Sequence, residues 1–208
     1  MTTKTALITG TSRQAGIGFA VAQQLAEQGF HVILTARDVS RAELLAARLR
    51  DAGHAATALR IDLTDPASMT AVAEHLTRTF GQLDVLINNA SDVVDFTALS
   101  ALDADIDAVR SALDIDVLGP WQLVKTMLPL LEAAPAARIV NVSSISALQI
   151  ATGLDLGASL RAPAHSFAKH TLDVLTGVLA NALGRDAAAG RPQWRPVPRR
   201  SACRAART

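Results

Sequence analysis

Tyrosine is absent from this chain, and aromatic side chains of any kind make up 3 % of it. No phenol is therefore on hand as an acid, a base or a buried hydrogen-bonding anchor, and the core must be built from Leu, Val, Ile and Ala. Cysteine occurs once, at Cys203, which excludes an intrachain disulfide and a cysteine-built metal centre. No other His, Asp or Glu grouping shows ligand spacing, so no metal is expected. No apolar stretch reaches the roughly 20 residues that a membrane-spanning helix needs. Met1 leads straight into the first apolar run without a signal peptide, so the expected compartment is cytoplasmic. Charge is nearly balanced at +1. The balance hides a basic end: residues 185–208 hold seven Arg and one Asp, while residues 1–184 are net acidic. That end lacks the aromatic interleaving and helical pattern of a nucleic-acid module, so nucleic acid is not expected as a partner.

What is present suffices for one domain: 208 residues, half of them hydrophobic. The chain is organised around Thr5 to Gly18. An apolar run, Ala6 to Ile8, has the length and branching of a buried strand. Glycines follow at Gly10, Gly16 and Gly18, and Val21, Ala22, Leu25 and Ala26 then recur at helical spacing up to Gly29. A strand, a glycine-rich turn and a helix N-terminus make an anion site, because free backbone N–H groups and the positive end of the helix converge there. A dinucleotide pyrophosphate is its usual occupant.

The pattern repeats. His31–Thr35, Ala56–Ile61, Leu83–Ile87 and Ala137–Val142 read as further strands. Helices are expected from about Arg41 to Ala52 behind Ser40 or Asp38, from Thr64-Asp65-Pro66 to Phe80, from Asp103 to Leu131 in one long run, and from Ala164 to Leu183. The stretch Ile145 to Pro163 reads as a long loop. Alternating strands and helices imply a doubly wound α/β fold, a parallel sheet with helices on both faces. Ligands of such sheets bind at the carboxyl ends of the strands, where Gly10, Arg37, Asp62, Asn88 and Ser144 stand.

Together these residues resemble the short-chain dehydrogenase/reductase family over residues 4 to about 184. Thr9-Gly10…Gly16-Ile17-Gly18 is similar to the family's cofactor motif, with two extra residues in the turn. Asn88-Asn89-Ala90-Ser91 is similar to its Asn-Asn-Ala-Gly motif, with Ser91 in place of glycine. The resemblance implies a Rossmann-like sheet and hydride transfer between a nicotinamide and a small carbonyl or alcohol substrate. It implies a cofactor site made of Gly10, Ser12, Arg13, Gly16, Ile17, Gly18, Arg37, Asp62, Leu63, Asn89, Ala90 and Lys169. The second strand ends in Thr35-Ala36-Arg37 rather than an acidic residue. A guanidinium pairs with phosphate in a bidentate fork, whereas a carboxylate would bind ribose hydroxyls and repel a 2′-phosphate. NADP(H) is therefore expected over NAD(H).

The family's catalytic set is an Asn, a Ser, and a Tyr four residues before a Lys. The resemblance assigns Ser144 and Lys169 to their usual places. His165 stands where the tyrosine would be, and Asp116, in Asp116-Val117-Leu118-Gly119, where the asparagine would be. An imidazole can serve as an acid near neutral pH. A neighbouring Lys169 opposes its protonation, and Asp116 could offset that charge if the three approach. The family's final strand and substrate-covering segment have no counterpart: after Leu183 no run of four apolar residues occurs. The Arg/Pro/Ala-rich segment 185–208 is expected to be a disordered tail, either the truncated or out-of-frame end of a longer reductase or a natural short form. Three readings stay open: a reductase in which His165 replaces the usual acid, a non-catalytic dinucleotide-binding or interaction protein, and a truncated product without activity. The resemblance also suggests a homodimer or homotetramer.

Overall fold

Uninterrupted apolar runs make strands that are covered on both faces, and such strands need helical crossovers. A computed structural model describes residues 3–92, 95–152 and 162–188. Its strands are β1 (Thr5–Thr9), β2 (His31–Ala36), β3 (Ala56–Arg60), β4 (Val85–Asn88) and β5 (Arg138–Asn141). All pairings are parallel and the order is β3-β2-β1-β4-β5. The chain reverses its direction of travel across the sheet between β1 and β4, which opens a crevice at their carboxyl ends.

The helices are α1 (Ile17–Glu27), α2 (Val39–Asp51), α3 (Pro66–Thr79), α4 (Ile106–Leu113), α5 (Gly119–Ala133), α6 (Ile145–Thr152) and α7 (Pro163–Ala188). Alternate strand residues face opposite layers. Leu7, Ile33 and Leu86 pack with Met69 and Leu76 of α3 and with Leu123 and Met127 of α5. Ala6, Ile8 and Leu34 pack with Phe19 and Ala22 of α1 and with Leu45 and Leu49 of α2. Leu7, Ile33 and Leu86 are fully buried, and removing each from water stabilises the fold by about 1.5–3 kcal/mol.

Local chemistry fixes the helix starts. Asp38 accepts from the Ser40 amide to cap α2. Asp65 accepts from the Ala67 and Ser68 amides, with Pro66 in the first turn of α3. Helices α1, α2 and α3 stop beside Gly29, Gly53 and Gly81, all with positive φ.

Several expectations need correction. The helix expected over Asp103 to Leu131 is two helices joined by a π-helical turn, Asp114–Leu118. The stretch expected as a loop from Ile145 begins with α6; residues 153–161 lie outside the described residues. α7 starts at Pro163 and runs to Ala188, past the helix end expected at Leu183. The expectation for the tail beyond 188 also lies outside the described residues.

Candidate active site

The turn after β1 is shaped by close approach. Gly10 has φ +72°, and a Cβ there would come within 2.6 Å of the Ala90 Cα. A Cβ on Gly18 would lie 2.6 Å from the Asn89 side-chain amide and 3.0 Å from the Thr11 methyl. The two extra residues of the turn are absorbed locally: the Gly16 amide donates to the Arg13 carbonyl at 3.1 Å, and the Thr11 amide anchors the other side on the Thr35 carbonyl at 2.9 Å. Thr9 ties β1 to the end of β4, its hydroxyl accepting from the Asn89 and Ala90 amides at 3.0 Å each.

A cleft of about 870 Å³ opens over these strand ends. Every residue of the expected cofactor set lines it, from Gly10, Ser12, Arg13, Gly16, Ile17 and Gly18 through Arg37, Asp62 and Leu63 to Asn89, Ala90 and Lys169. Their side chains are not equally free. The Asn89 amide donates to the Thr9 carbonyl at 2.8 Å, and one Asp62 oxygen accepts from both the amide and the hydroxyl of Thr64. Arg37 is exposed and reaches Asp92 across the cleft at 3.9 Å. The structure adds Arg41, Ser91 and Asp92 to the lining.

The cleft fits a dinucleotide on two grounds. Helix α1 starts at Gly16 with no side-chain cap and no acidic residue in its first turn, so the donors that a helix end leaves unpaired are open to an anion. The glycine cradle supplies the close backbone approach that a pyrophosphate needs.

At the other end of the cleft lie Ser144, His165 and Lys169. Asp116 is not part of the lining. It sits in the π turn, fully buried. Such turns insert one residue into a helix and re-aim the neighbouring side chains, often at functional sites. Its carboxylate gathers three groups: Lys169 Nζ is 3.6 Å from Oδ1, His165 Nδ1 is 3.4 Å from Oδ2, and the Ser91 hydroxyl donates to Oδ2 at 3.1 Å. The His165 contact is within ion-pair range but lacks hydrogen-bond geometry, leaving Nδ1 without a hydrogen-bond partner among the described residues. Lys169 also donates to the Val142 carbonyl at 3.0 Å. Burial pushes its ammonium below the usual lysine range, while the charges of Asp116 and Asp173 pull the other way. Ser144 Oγ is held by the first turn of α6, accepting from the amide and hydroxyl of Ser146.

Two supports for this end were not foreseen from sequence. Buried Asp95 accepts from the Ala164 amide at 2.6 Å, clamping the first turn of α7 just ahead of His165. A ladder runs from Asn88 Nδ2 to Asn141 Oδ1 and from Asn141 Nδ2 to Thr176 Oγ1, each 2.8 Å, joining β4, β5 and α7.

Residues 4–186 match the short chain dehydrogenase family. The chain belongs to that family. Proteins similar to it include an uncharacterized oxidoreductase of Staphylococcus saprophyticus, 31 % identical over 164 residues, 78 % of this chain and 68 % of the relative. Another is the (+)-neomenthol dehydrogenase of Arabidopsis thaliana, 34 % identical over 162 residues, 69 % of this chain and 54 % of the relative. Among solved structures, a metagenomic short-chain oxidoreductase in complex with NADP superposes with a TM-score of 0.74 at 28 % identity, covering 89 % of this chain and 78 % of that one. L-sorbose reductase from Gluconobacter frateurii, complexed with NADPH and L-sorbose, gives 0.76 at 27 % identity, covering 89 % and 66 %. This chain spans just over half the length of most of the curated relatives it matches. Among the described residues, no helix is long and apolar enough to cross a membrane.

Proposed function

We propose that this short chain dehydrogenase binds NADP(H) and interconverts a small carbonyl compound and its alcohol, with His165 as the proton-transferring group. The observation that carries this reading is the Asp116 carboxylate lying 3.4 Å from His165 Nδ1 and 3.6 Å from Lys169 Nζ, fully buried beneath the cleft. The cofactor, when bound, supplies or accepts hydride at the substrate carbon. His165 gives or takes the proton at the substrate oxygen. With Nδ1 turned to Asp116, Nε2 is the ring nitrogen left for that oxygen. Asp116 offsets the Lys169 charge that would otherwise oppose an imidazolium, and contacts of 3.4–3.6 Å are of the kind that tighten when a site fills. Ser144 orients the substrate oxygen, and Lys169 holds the cofactor ribose.

The preference for NADP(H) rests on Arg37. It is exposed at the end of β2 beside the cleft, with Arg41 four residues further on, and the neighbouring acid, Asp38, is engaged by Ser40 and Arg41. Relatives of similar fold hold NADP or NADPH. A second reading is favoured by the tyrosine-to-histidine exchange: a dinucleotide-binding protein that does not turn over.

The two readings separate by NADPH-dependent reduction of a panel of small aldehydes and ketones. The first predicts turnover by the wild type that falls at least about 100-fold in His165→Ala, the scale of a lost general acid. Activity confined to His165→Tyr would contradict it and leave the binding protein.

A further inference from the structure

The position that the family motif gives to glycine holds Ser91 here, and its hydroxyl donates the hydrogen bond that Asp116 Oδ2 accepts, at 3.1 Å. Asp116 Oδ1 has no hydrogen-bond partner among the described residues. The carboxylate is thus poised between an ammonium and an imidazole ring. Lys169 stands off Oδ1 at 3.6 Å and His165 off Oδ2 at 3.4 Å. A buried carboxylate with one fixed oxygen has its plane and its second oxygen fixed too. Without that tether, the attraction of the buried Lys169 ammonium draws the carboxylate off the ring.

We infer that Ser91 is a positioning residue: it holds the Asp116 carboxylate against His165 and keeps it from rotating onto Lys169. Glycine could not do this, and nor could alanine. Three exchanges, Ser91, Asp116 and His165, are separate in sequence and meet at one oxygen atom. Ser91 belongs with the histidine chemistry, and the inference rests on the proposed role of His165 for its functional meaning, although not for its geometry. Among the described residues, Asp116 from the π turn faces the ring, Lys169 lies one turn along α7, and Asp95 holds that helix's first turn.

The test is a proton–nitrogen correlation NMR titration of the histidine rings in the cofactor-free chain, with the His165 signal identified by its loss in His165→Ala. In the wild type the neutral ring carries its proton on Nδ1, facing Asp116. In Ser91→Ala that tautomer gives way to the Nε2–H form. Ser91→Thr, which keeps the hydroxyl, retains the wild-type tautomer. An unchanged tautomer in Ser91→Ala overturns the inference, as does a threonine variant that behaves like alanine. Catalytic failure of the wild type would sink the proposed reaction and leave this readout standing, so the two outcomes are distinguishable.

Discussion

At the β1 end of the cleft, shape is set by backbone; at the β5 end it is set by side-chain charge. Around Gly10 and Gly18 a single added carbon would sit 2.6 Å from a neighbouring heavy atom. Sterics of that kind admit few alternatives, and the pattern there follows the family except for two residues absorbed in a turn. Around Asp116 the constraint is electrostatic. Three side chains can change together so long as the carboxylate, the ammonium and the ring stay within reach of one another. The first end tolerates insertion but not bulk, and the second tolerates exchange of chemistry but not loss of a partner.

That contrast can be broken most severely at the second end. Lys169→Met leaves the Asp116 charge buried without its cation and costs about 3–5 kcal/mol of stability, read by denaturant unfolding. Its pH dependence sharpens the point. The folded-state pKa of Lys169 is lowered by burial, so between that value and 10.5 the unfolded chain binds the additional proton and folding stability rises with pH. The methionine variant lacks that alkaline gain.

At the first end, Gly10→Ala drives a methyl into Ala90 at a positive φ, for a loss of about 1–3 kcal/mol. It also abolishes nucleotide binding by shifting the turn. A Gly10→Ala protein that binds NADPH as the wild type does would mean that close approach does not shape this site.

Much of the fold was legible because its signals are local. Apolar runs marked the strands, Asp38 and Asp65 marked helix starts, and glycines marked stops. The gathering of the strand-end residues around one cleft was legible for the same reason, since strand ends in a doubly wound sheet converge by topology. The π turn was not legible: a change from i→i+4 to i→i+5 bonding leaves no trace in hydrophobic spacing, and the run from Asp103 to Leu131 reads as one helix. α6 is short, and Ser144, which caps its first turn, reads in sequence only as the polar end of β5, so the stretch reads as loop. The Ser91–Asp116 contact spans 25 residues and the Asp95–Ala164 clamp 69. Polar pairings at such separations follow only from the tertiary arrangement. His165 and Asp116 were picked out by their departure from the family pattern, with their approach to Lys169 named as a condition, and only the fold brings the three to one carboxylate.

The smallest expected effect lies between the two ends. Asp92 stands 3.9 Å from Arg37 with both side chains substantially exposed. Surface pairs of this sort are worth about 0–1 kcal/mol. Removing the competing charge in Asp92→Asn should raise NADPH affinity by no more than about fivefold and leave NADH unchanged. A larger gain, or one shared by NADH, would place Asp92 in direct contact with the nucleotide.

The most direct test of the account is a calorimetric titration of the purified chain with NADPH and with NADH, repeated on Arg37→Ala. The account predicts NADPH binding at least about tenfold tighter than NADH in the wild type, with the difference lost in Arg37→Ala, as expected when a charge-assisted guanidinium–phosphate contact is removed. Equal affinities in the wild type, or no binding of either nucleotide, would contradict it.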